Sequence, residues 1–358
     1  MPSFPLIPLP PPDAARQAAQ ACLAALAAQP PLLSLQVSPR RALGAMAGSL
    51  QLDAGVADAI RIVRAEVPHR QDDAWNVRAS ASAWPLRYGA DKPLLYLCRP
   101  ASLQALRGVL VDARARGIVC NDAETQASRW HKGVQPALPA WLAAQPDCTP
   151  FDPATGEEVR AIVRAALATL YVERQPGYFY LAMHDEAAVA APLSAADAAA
   201  ASLGMYRVSP PGPGPCRVRL CGAGAMLAVV ADAARLLEED WNIAAQVWSC
   251  PSYTRLARDA QAAEQWNVRH PRAAPRLAHV QRCLGGSAAP VIAVTGYGQH
   301  IAGQIGGYVR GRFIAVGADS ATEASAPWLA VMALKALADD GALPMPCVDY
   351  ALRRYALL

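Results

Sequence analysis

The sequence is short of charge, of paired-cysteine motifs and of long apolar runs, and each shortage removes a class of protein. Charged residues make up only 17% of the 358 residues and apolar ones 53%, a balance of globular rather than disordered chains. The net charge of +4 is mild. Arginine is spread along the chain without a basic run or interleaved aromatics, so nucleic acid is not an expected partner. The nine cysteines, at 22, 98, 120, 148, 216, 221, 250, 283 and 347, contain no C-x-x-C. Neither a zinc site nor a disulfide framework is signalled, and no metal site is expected. Most of these thiols stand beside apolar residues, as small hydrophobes do, which fits a reducing, cytoplasmic protein. No apolar run approaches the roughly 18 residues of a spanning helix, so no membrane is expected. The Pro-rich start lacks the basic leader and apolar core of a secretory signal.

The length suits two domains, each able to bury its own core. Residues 1–12, MPSFPLIPLPPP, are dense in proline and are expected to form an extended arm, since proline removes donors and fixes φ. Asp13 is expected to cap an Ala-rich helix reaching Ala28 and stopped at Pro30-Pro31. Arm and helix together occupy 1–40. Over 41–190, strands are expected at Ile60–Val63, Pro93–Cys98, Arg116–Cys120 and Tyr178–Met183. Helices are expected at Leu103–Leu110 and Glu157–Tyr171, with Trp75 and Trp84 packing down the irregular stretch between Pro68 and Asp91. Strands alternating with helices argue for a parallel, doubly wound α/β layer. Residues 191–215 are Ala- and Pro/Gly-biased and are assigned to an interdomain linker. A second α/β domain is expected over 216–345, built on strands Cys216–Cys221, Val291–Thr295 and Phe313–Gly317. Its helices are expected at Met226–Glu239, Gln299–Val309 and Pro327–Asp340, and 346–358 is read as a tail.

The stretch from Val247 to Pro271, VWSCPSYTRLARDAQAAEQWNVRHP, organises the second half: a short apolar strand, a polar surface helix anchored by Trp248 and Trp266, then a His-Pro stop. Its wording, Tyr253-Thr254-x-Leu256-Ala257-Arg258-Asp259, then Glu264-x-Trp266-Asn267, His270-Pro271 and Pro275-Arg276, closely resembles the C-terminal domain of the homodimeric pyruvate dehydrogenase E1 component. That family reads S-F-T-E-L-A-R-D-G, E-R-W-N, L-H-P and T-P-R. The first half is similar, more faintly, to the pyrimidine-binding domain of the same thiamine diphosphate family, through Asp152-Pro153, Glu158-Val159, Tyr178-Phe179-Tyr180-Leu181 and Gly204-Met205-Tyr206. The resemblance implies two doubly wound α/β domains, a pyrimidine-domain-like fold followed by a transketolase C-terminal-like domain.

Gly222-x-Gly224 follows a strand and opens a helix, but it lacks the third glycine and the later acidic residue of a nucleotide fingerprint. It reads as a tight turn. The resemblance also implies three catalytic parts. The first is a diphosphate and Mg²⁺ site that the family writes as G-D-G with a distant Asn, hard-oxygen ligands that suit the metal. No G-D-G occurs here, nor any counterpart of the family's pyrophosphate-binding domain. The second is a buried carboxylate facing the aminopyrimidine. The acidic residues near its place, Glu66, Asp72, Asp73 and Asp91, read as solvated loop charges. The third is a histidine pair within L-N-G-E-G-L-Q-H-E-D-G-H-S. The matching run, Cys120–Lys132, is CNDAETQASRWHK, which keeps Asn121, Gln126 and His131 in register but places Ala127 and Ser128 at the first His and the Glu after it. The family's long active-site loop after G-T-D is missing beyond Gly317-Ala318-Asp319.

Candidate site residues are therefore His131, which could act as acid or base but reads as an exposed loop histidine, and His184, at a polar patch of the family. His69, His270, His279 and His300 read as caps or surface residues. Two functions are carried forward. One is a degenerate E1-like protein without thiamine catalysis of its own, acting as a dimeric scaffold, regulatory or partner subunit. The other is a β-type subunit of a split thiamine diphosphate-dependent 2-oxo acid decarboxylase or acyl transferase. In both, the chain alone takes no cofactor. Thiamine diphosphate and Mg²⁺ enter only with a pyrophosphate-domain subunit, and the assembly is a homodimer or such a heteromer. A vacated cleft holding another small metabolite is a third reading.

Overall fold

A computed structural model describes residues 11–29, 37–64, 84–87, 89–100, 103–110, 116–122, 138–186, 192–208, 217–319 and 324–357. The expected arm, up to residue 10, and the Trp75 stretch lie outside the described residues, as do 191 and 209–215 of the expected linker. The chain forms two compact units, Met1–Leu193 and Ser194–Leu358.

In the first unit the order is α1 (Asp13–Ala28), α2 (Pro39–Leu52), β1 (Arg61–Arg64), α3 (Trp84–Arg87), β2 (Leu94–Cys98), α4 (Leu103–Leu110), β3 (Gly117–Asn121), α5 (Leu138–Ala143), β4 (Cys148–Phe151), α6 (Gly156–Leu167) and β5 (Tyr178–Ala182). The sheet runs β1-β2-β3-β5-β4, parallel throughout. A parallel sheet needs both faces covered, and the period-2 alternation of side chains supplies two apolar faces. Leu95, Ile118, Cys120, Phe179 and Leu181 pack beneath α1, α2 and α6. Leu94, Tyr96, Val119, Tyr178 and Tyr180 pack against α4 and α5.

Two expectations for this unit change. Asp13 does not cap α1: Pro12 is the N-cap residue, with no side-chain bond, and Asp13 pairs with Arg174. The assignment of 1–40 to an arm and a separate helix also fails in part, because α1 buries Ala15, Ala19, Cys22 and Leu26 in the first unit's core. Small side chains at helical spacing let α1 approach closely; alanine content alone does not distinguish a docked helix from a solvated one.

In the second unit the order is α7 (Ala195–Leu203), β6 (Tyr206–Arg207), β7 (Val218–Gly222), α8 (Met226–Trp241), β8 (Ala245–Ser249), α9 (Tyr253–Arg269), α10 (His279–Leu284), β9 (Val291–Val294), α11 (His300–Gly303), β10 (Phe313–Val316), α12 (Ala326–Asp339) and α13 (Pro346–Arg354). Its sheet runs β10-β9-β7-β8-β6, with only β6 antiparallel. The structure therefore divides the chain differently from the expected linker at 191–215. Ser194 caps α7 by accepting from Asp197 N–H, and β6 joins the sheet. The expected tail, 346–358, likewise holds a helix. Tyr355 on its far side accepts from the Trp241 indole N–H at 3.0 Å and donates to Asp240 at 2.8 Å. The long helix expected over 299–309 is instead the single turn α11 and a 3-10 turn, Gly306–Tyr308.

Each sheet is tied to a helix end by a buried arginine. Arg116, entering β3, donates to the carbonyls of Leu170 and Gln175 around the π-helical turn Ala168–Val172 that extends α6. Arg219, on β7, donates to the Leu284 carbonyl at 2.5 Å and to that of Ser287 at 3.3 Å, at the end of α10. Both guanidiniums sit where helix carbonyls run out of partners and the dipole is negative.

Next to Arg116, the fully buried Tyr171 hydroxyl donates to the Gly89 carbonyl at 2.7 Å and accepts from Leu94 N–H at 3.1 Å. Tyr171→Phe leaves both backbone groups unsatisfied. It is expected to lower unfolding free energy by about 2–4 kcal/mol in chemical denaturation, and a loss below about 0.5 kcal/mol would contradict this role.

Candidate functional site

Open parallel sheets present their chemistry at the carboxyl ends of the strands. In the first unit those ends deliver Arg99 after β2, Asp122 after β3, Asp152 after β4, and His184 and Asp185 just beyond β5. The start of α2 adds Ser38, Arg40 and Arg41. Arg99 grips Asp122 with two bonds, 2.8 Å from Nε and 2.7 Å from the second terminal nitrogen, the paired geometry that a guanidinium and a carboxylate share. Arg40 lies 3.6 Å from Asp122 and 3.2 Å from Asp185. Arg41 comes within 3.6 Å of Asp185. The Ser38 hydroxyl donates to Asp185 at 2.7 Å while capping α2 at Arg41 N–H. Two carboxylates and three guanidiniums thus lock the ends of β2, β3 and β5 to the start of α2. The Ser38 hydroxyl first, with Arg40 and Arg41 behind it, holds the Asp185 carboxyl below its ordinary range against the opposing effect of burial.

His184 is 4% exposed, with Nε2 2.9 Å from the Pro153 carbonyl. That nitrogen carries the proton, because a carbonyl only accepts. The His184 carbonyl takes Arg40 N–H at 3.2 Å. Asn121 is buried and donates to the Tyr180 hydroxyl at 2.9 Å. The structure therefore brings Asn121 and His184 to one sheet end. His131, Gln126, Ala127 and Ser128 lie outside the described residues, as do Glu66, His69, Asp72 and Asp73. Asp91 is exposed. The one wholly buried carboxylate among the described residues of this unit, Glu158, accepts from Ala154 N–H at 2.6 Å, and its own N–H donates to Thr155 at 3.2 Å. This is the reciprocal capping of a helix start.

The second unit closes its sheet end with a tyrosine. The buried Tyr253 hydroxyl lies 3.2 Å from the Cys221 carbonyl and 3.1 Å from that of Val294, bridging the ends of β7 and β9. Gly222 takes α8 against its backbone: a Cβ there would stand 2.8 Å from Leu227 Cα. Gly224 adopts φ +53°. Close approach and a left-handed turn account for both glycines. His279, read as a cap or surface residue, is buried. Its Nε2 lies 2.8 Å from the Met205 carbonyl, its N–H donates to Asp259 at 2.6 Å, and burial lowers its pKa. Cys283 sits 3.6 Å from the same Nε2. Since that nitrogen's proton goes to Met205, it cannot accept the thiol proton, and burial pushes the thiol up to about 11. An activated Cys–His pair needs the reverse. His270 is exposed and stacks on Trp266 at 4.4 Å, with Arg276 over that ring at 4.0 Å. His300 is also exposed.

The fit to thiamine diphosphate follows from the donors. Among the described residues no three His, Cys, Asp or Glu converge as metal ligands, and the sequence has no G-D-G. The residues present do not fit the cofactor by the family's pattern. Sequence reading missed the Arg40–Asp122–Asp185 lattice; its signal was position, since Arg99 and Asp122 each directly follow a strand's last residue.

Residues 204–323 match the family described as the transketolase-like TK C-terminal domain. The match falls within the second unit. Over 275 residues, 73% of the chain, the sequence is 32% identical to the pyruvate dehydrogenase E1 component of Cupriavidus necator, 30% of whose length is covered. It is 32% identical over 226 residues to that of Pseudomonas aeruginosa, covering 59% of this chain and 26% of that protein. The chain thus matches less than a third of these relatives' length. Transketolase from Leishmania mexicana superposes with a TM-score of 0.56 at 14% identity, over 94% of this chain and 48% of that one. A split-gene transketolase, described as an inactive beta4 tetramer, gives 0.54 at 15% identity, over 85% of this chain and 99% of that one. At these identities the likeness is one of fold, and it is the doubly wound two-unit α/β fold implied by the sequence.

Asp185 supplies a pH test. Its folded pKa is depressed, so its contribution is present above the unfolded carboxylate value of about 3.9 and is lost as pH falls through the folded value. Asp185→Asn is expected to flatten the acid limb of the stability profile. At neutral pH it should cost about 1 kcal/mol or less, because the pair is solvent-screened. Parallel acid limbs for the two proteins would contradict the assignment.

Proposed function

We propose that the chain is a degenerate pyruvate dehydrogenase E1-like protein that performs no thiamine catalysis by itself and serves as a dimeric scaffold, regulatory or partner subunit. The carrying observation is the ion lattice at the first unit's sheet end. Where a thiamine enzyme of this fold would set acid–base groups against substrate, Asp122 and Asp185 are engaged by Arg40 and Arg99, and His184 is turned into the protein toward Pro153. Ala127 has no proton to give, and the missing G-D-G removes the hard-oxygen ligands Mg²⁺ requires.

A second reading has its own support. The fold spans nearly the whole of a split-gene transketolase chain, the layout expected of a β-type subunit whose Mg²⁺ and diphosphate are held by a pyrophosphate domain outside these 358 residues. In that reading His131 and His184 are the candidate proton carriers.

Calorimetric titration with thiamine diphosphate and Mg²⁺ separates the two, performed on the protein alone and then with a co-encoded protein bearing G-D-G. The first reading expects no binding in either case. Binding only in the mixture, with 2-oxo acid turnover, would establish the second. Saturable binding by the chain alone would overturn both. Both readings expect a dimer or larger assembly, since the family's domains associate in pairs; a clean monomer by light scattering would contradict that part.

A further inference from the structure

Away from both sheet ends, the second unit has a cleft of about 560 Å³ lined by Leu277, Gln281, Arg282, Gly285, Gly286, Gly307, Tyr308, Val309 and Arg310. It lies between the end of α10 and the 3-10 turn after α11, and its volume falls within the roughly 300–1,000 Å³ of small-molecule sites. Its lining holds two guanidiniums and no carboxylate. Arg282 and Arg310 are exposed, and neither joins an ion pair among the described residues, whereas Arg235, Arg312 and Arg354 of the same unit all do. Arg282 is partly fixed by donating to the Leu277 carbonyl. Glu264 acts on Tyr308 from α9, and Asp259 accepts from the His279 N–H at the start of α10; neither lines the cleft.

The glycines carry the argument further. Gly285 is held by contact, since a Cβ there would meet the Gln281 carbonyl at 2.3 Å. Gly286 and Gly307 are not: neither has a left-handed φ, and a Cβ on either would meet nothing within 4 Å. Glycine in such positions gives up stability for no structural return. What it does here is leave the cleft open beside two uncompensated cations.

We propose that this cleft binds a small dianionic organic molecule of the phosphate-ester type. Arg282 and Arg310 would take the dianion, and the Tyr308, Val309 and Leu277 side chains its apolar part. Guanidiniums bind phosphate oxygens in pairs through their planar fork. The limited volume suits one small molecule rather than a length of acidic peptide. Nothing in this assignment depends on whether the chain takes part in thiamine catalysis.

Titration calorimetry of the full chain with phenyl phosphate tests it, with phenol and with Arg353→Ala as controls; Arg353 is an exposed arginine on α13 that does not line the cleft. Saturable binding of phenyl phosphate and none of phenol is expected. Arg282→Ala and Arg310→Ala should each weaken binding at least about tenfold. Gly307→Leu, which fills open space, should abolish binding with little change in Tm. If it does not fold, Gly286→Val provides the same block from the opposite wall. The proposal is overturned if the wild type shows no saturable binding, if Arg353→Ala loses as much affinity as the cleft variants, or if blocking the cleft leaves binding unchanged.

Discussion

Parallel strands cannot be joined by tight turns, and this constraint shapes both units. Each ladder needs a crossover to return the chain to the same end, and the returning helices must cover both faces of the sheet. Among the described residues all strand pairs but one are parallel. Strand ends, helix starts and their unpaired backbone groups therefore collect along one edge of each sheet. Buried arginines settle the problem elsewhere, Arg116 and Arg219 each taking two carbonyls around a helix end. Tyr171 adds two more bonds beside Arg116, and Tyr253 bridges strand ends in the second unit.

The carboxyl edge of the first unit is where this fold ordinarily leaves polar groups for chemistry. In this protein the same groups are spent on each other. Asp122 bridges two arginines, Asp185 is held by Ser38 and Arg40, and His184 points a proton at Pro153. Such an edge is a joint between strands and α2, and the scaffold or partner role proposed above rests on it.

Much of the architecture was legible because it rests on local patterns. Helix α4 fell at its expected bounds, and the expected strands lie within a residue or two of β2, β3, β5, β7, β9 and β10, since apolar runs of strand length alternated with amphipathic ones. The surface helix α9 was legible from its Trp anchors, its His-Pro stop and its family wording. What escaped depended on packing at a distance. The α1 helix looks polar and Ala-rich in sequence, and only its partners make it core. His279 looked like a surface cap because nothing local announces that Met205 and Asp259 enclose it. Helix α7 was hidden in Ala-rich sequence that reads equally as linker. The ion lattice was invisible for the same reason, as Arg40 and Asp185 are far apart along the chain and meet only through the crossover topology.

The central claim is that the first unit's sheet end is a structural joint. A double-mutant cycle on Arg99 and Asp122, each replaced by Ala singly and together and followed by chemical denaturation, tests it most directly. The pair is about three-quarters buried and doubly bonded, so a coupling of about 1–2 kcal/mol is expected, with Asp122→Ala destabilising. Groups held in place for catalysis are commonly a burden on stability. An Asp122→Ala protein as stable as the wild type or more so, with coupling below about 0.3 kcal/mol, would contradict the account.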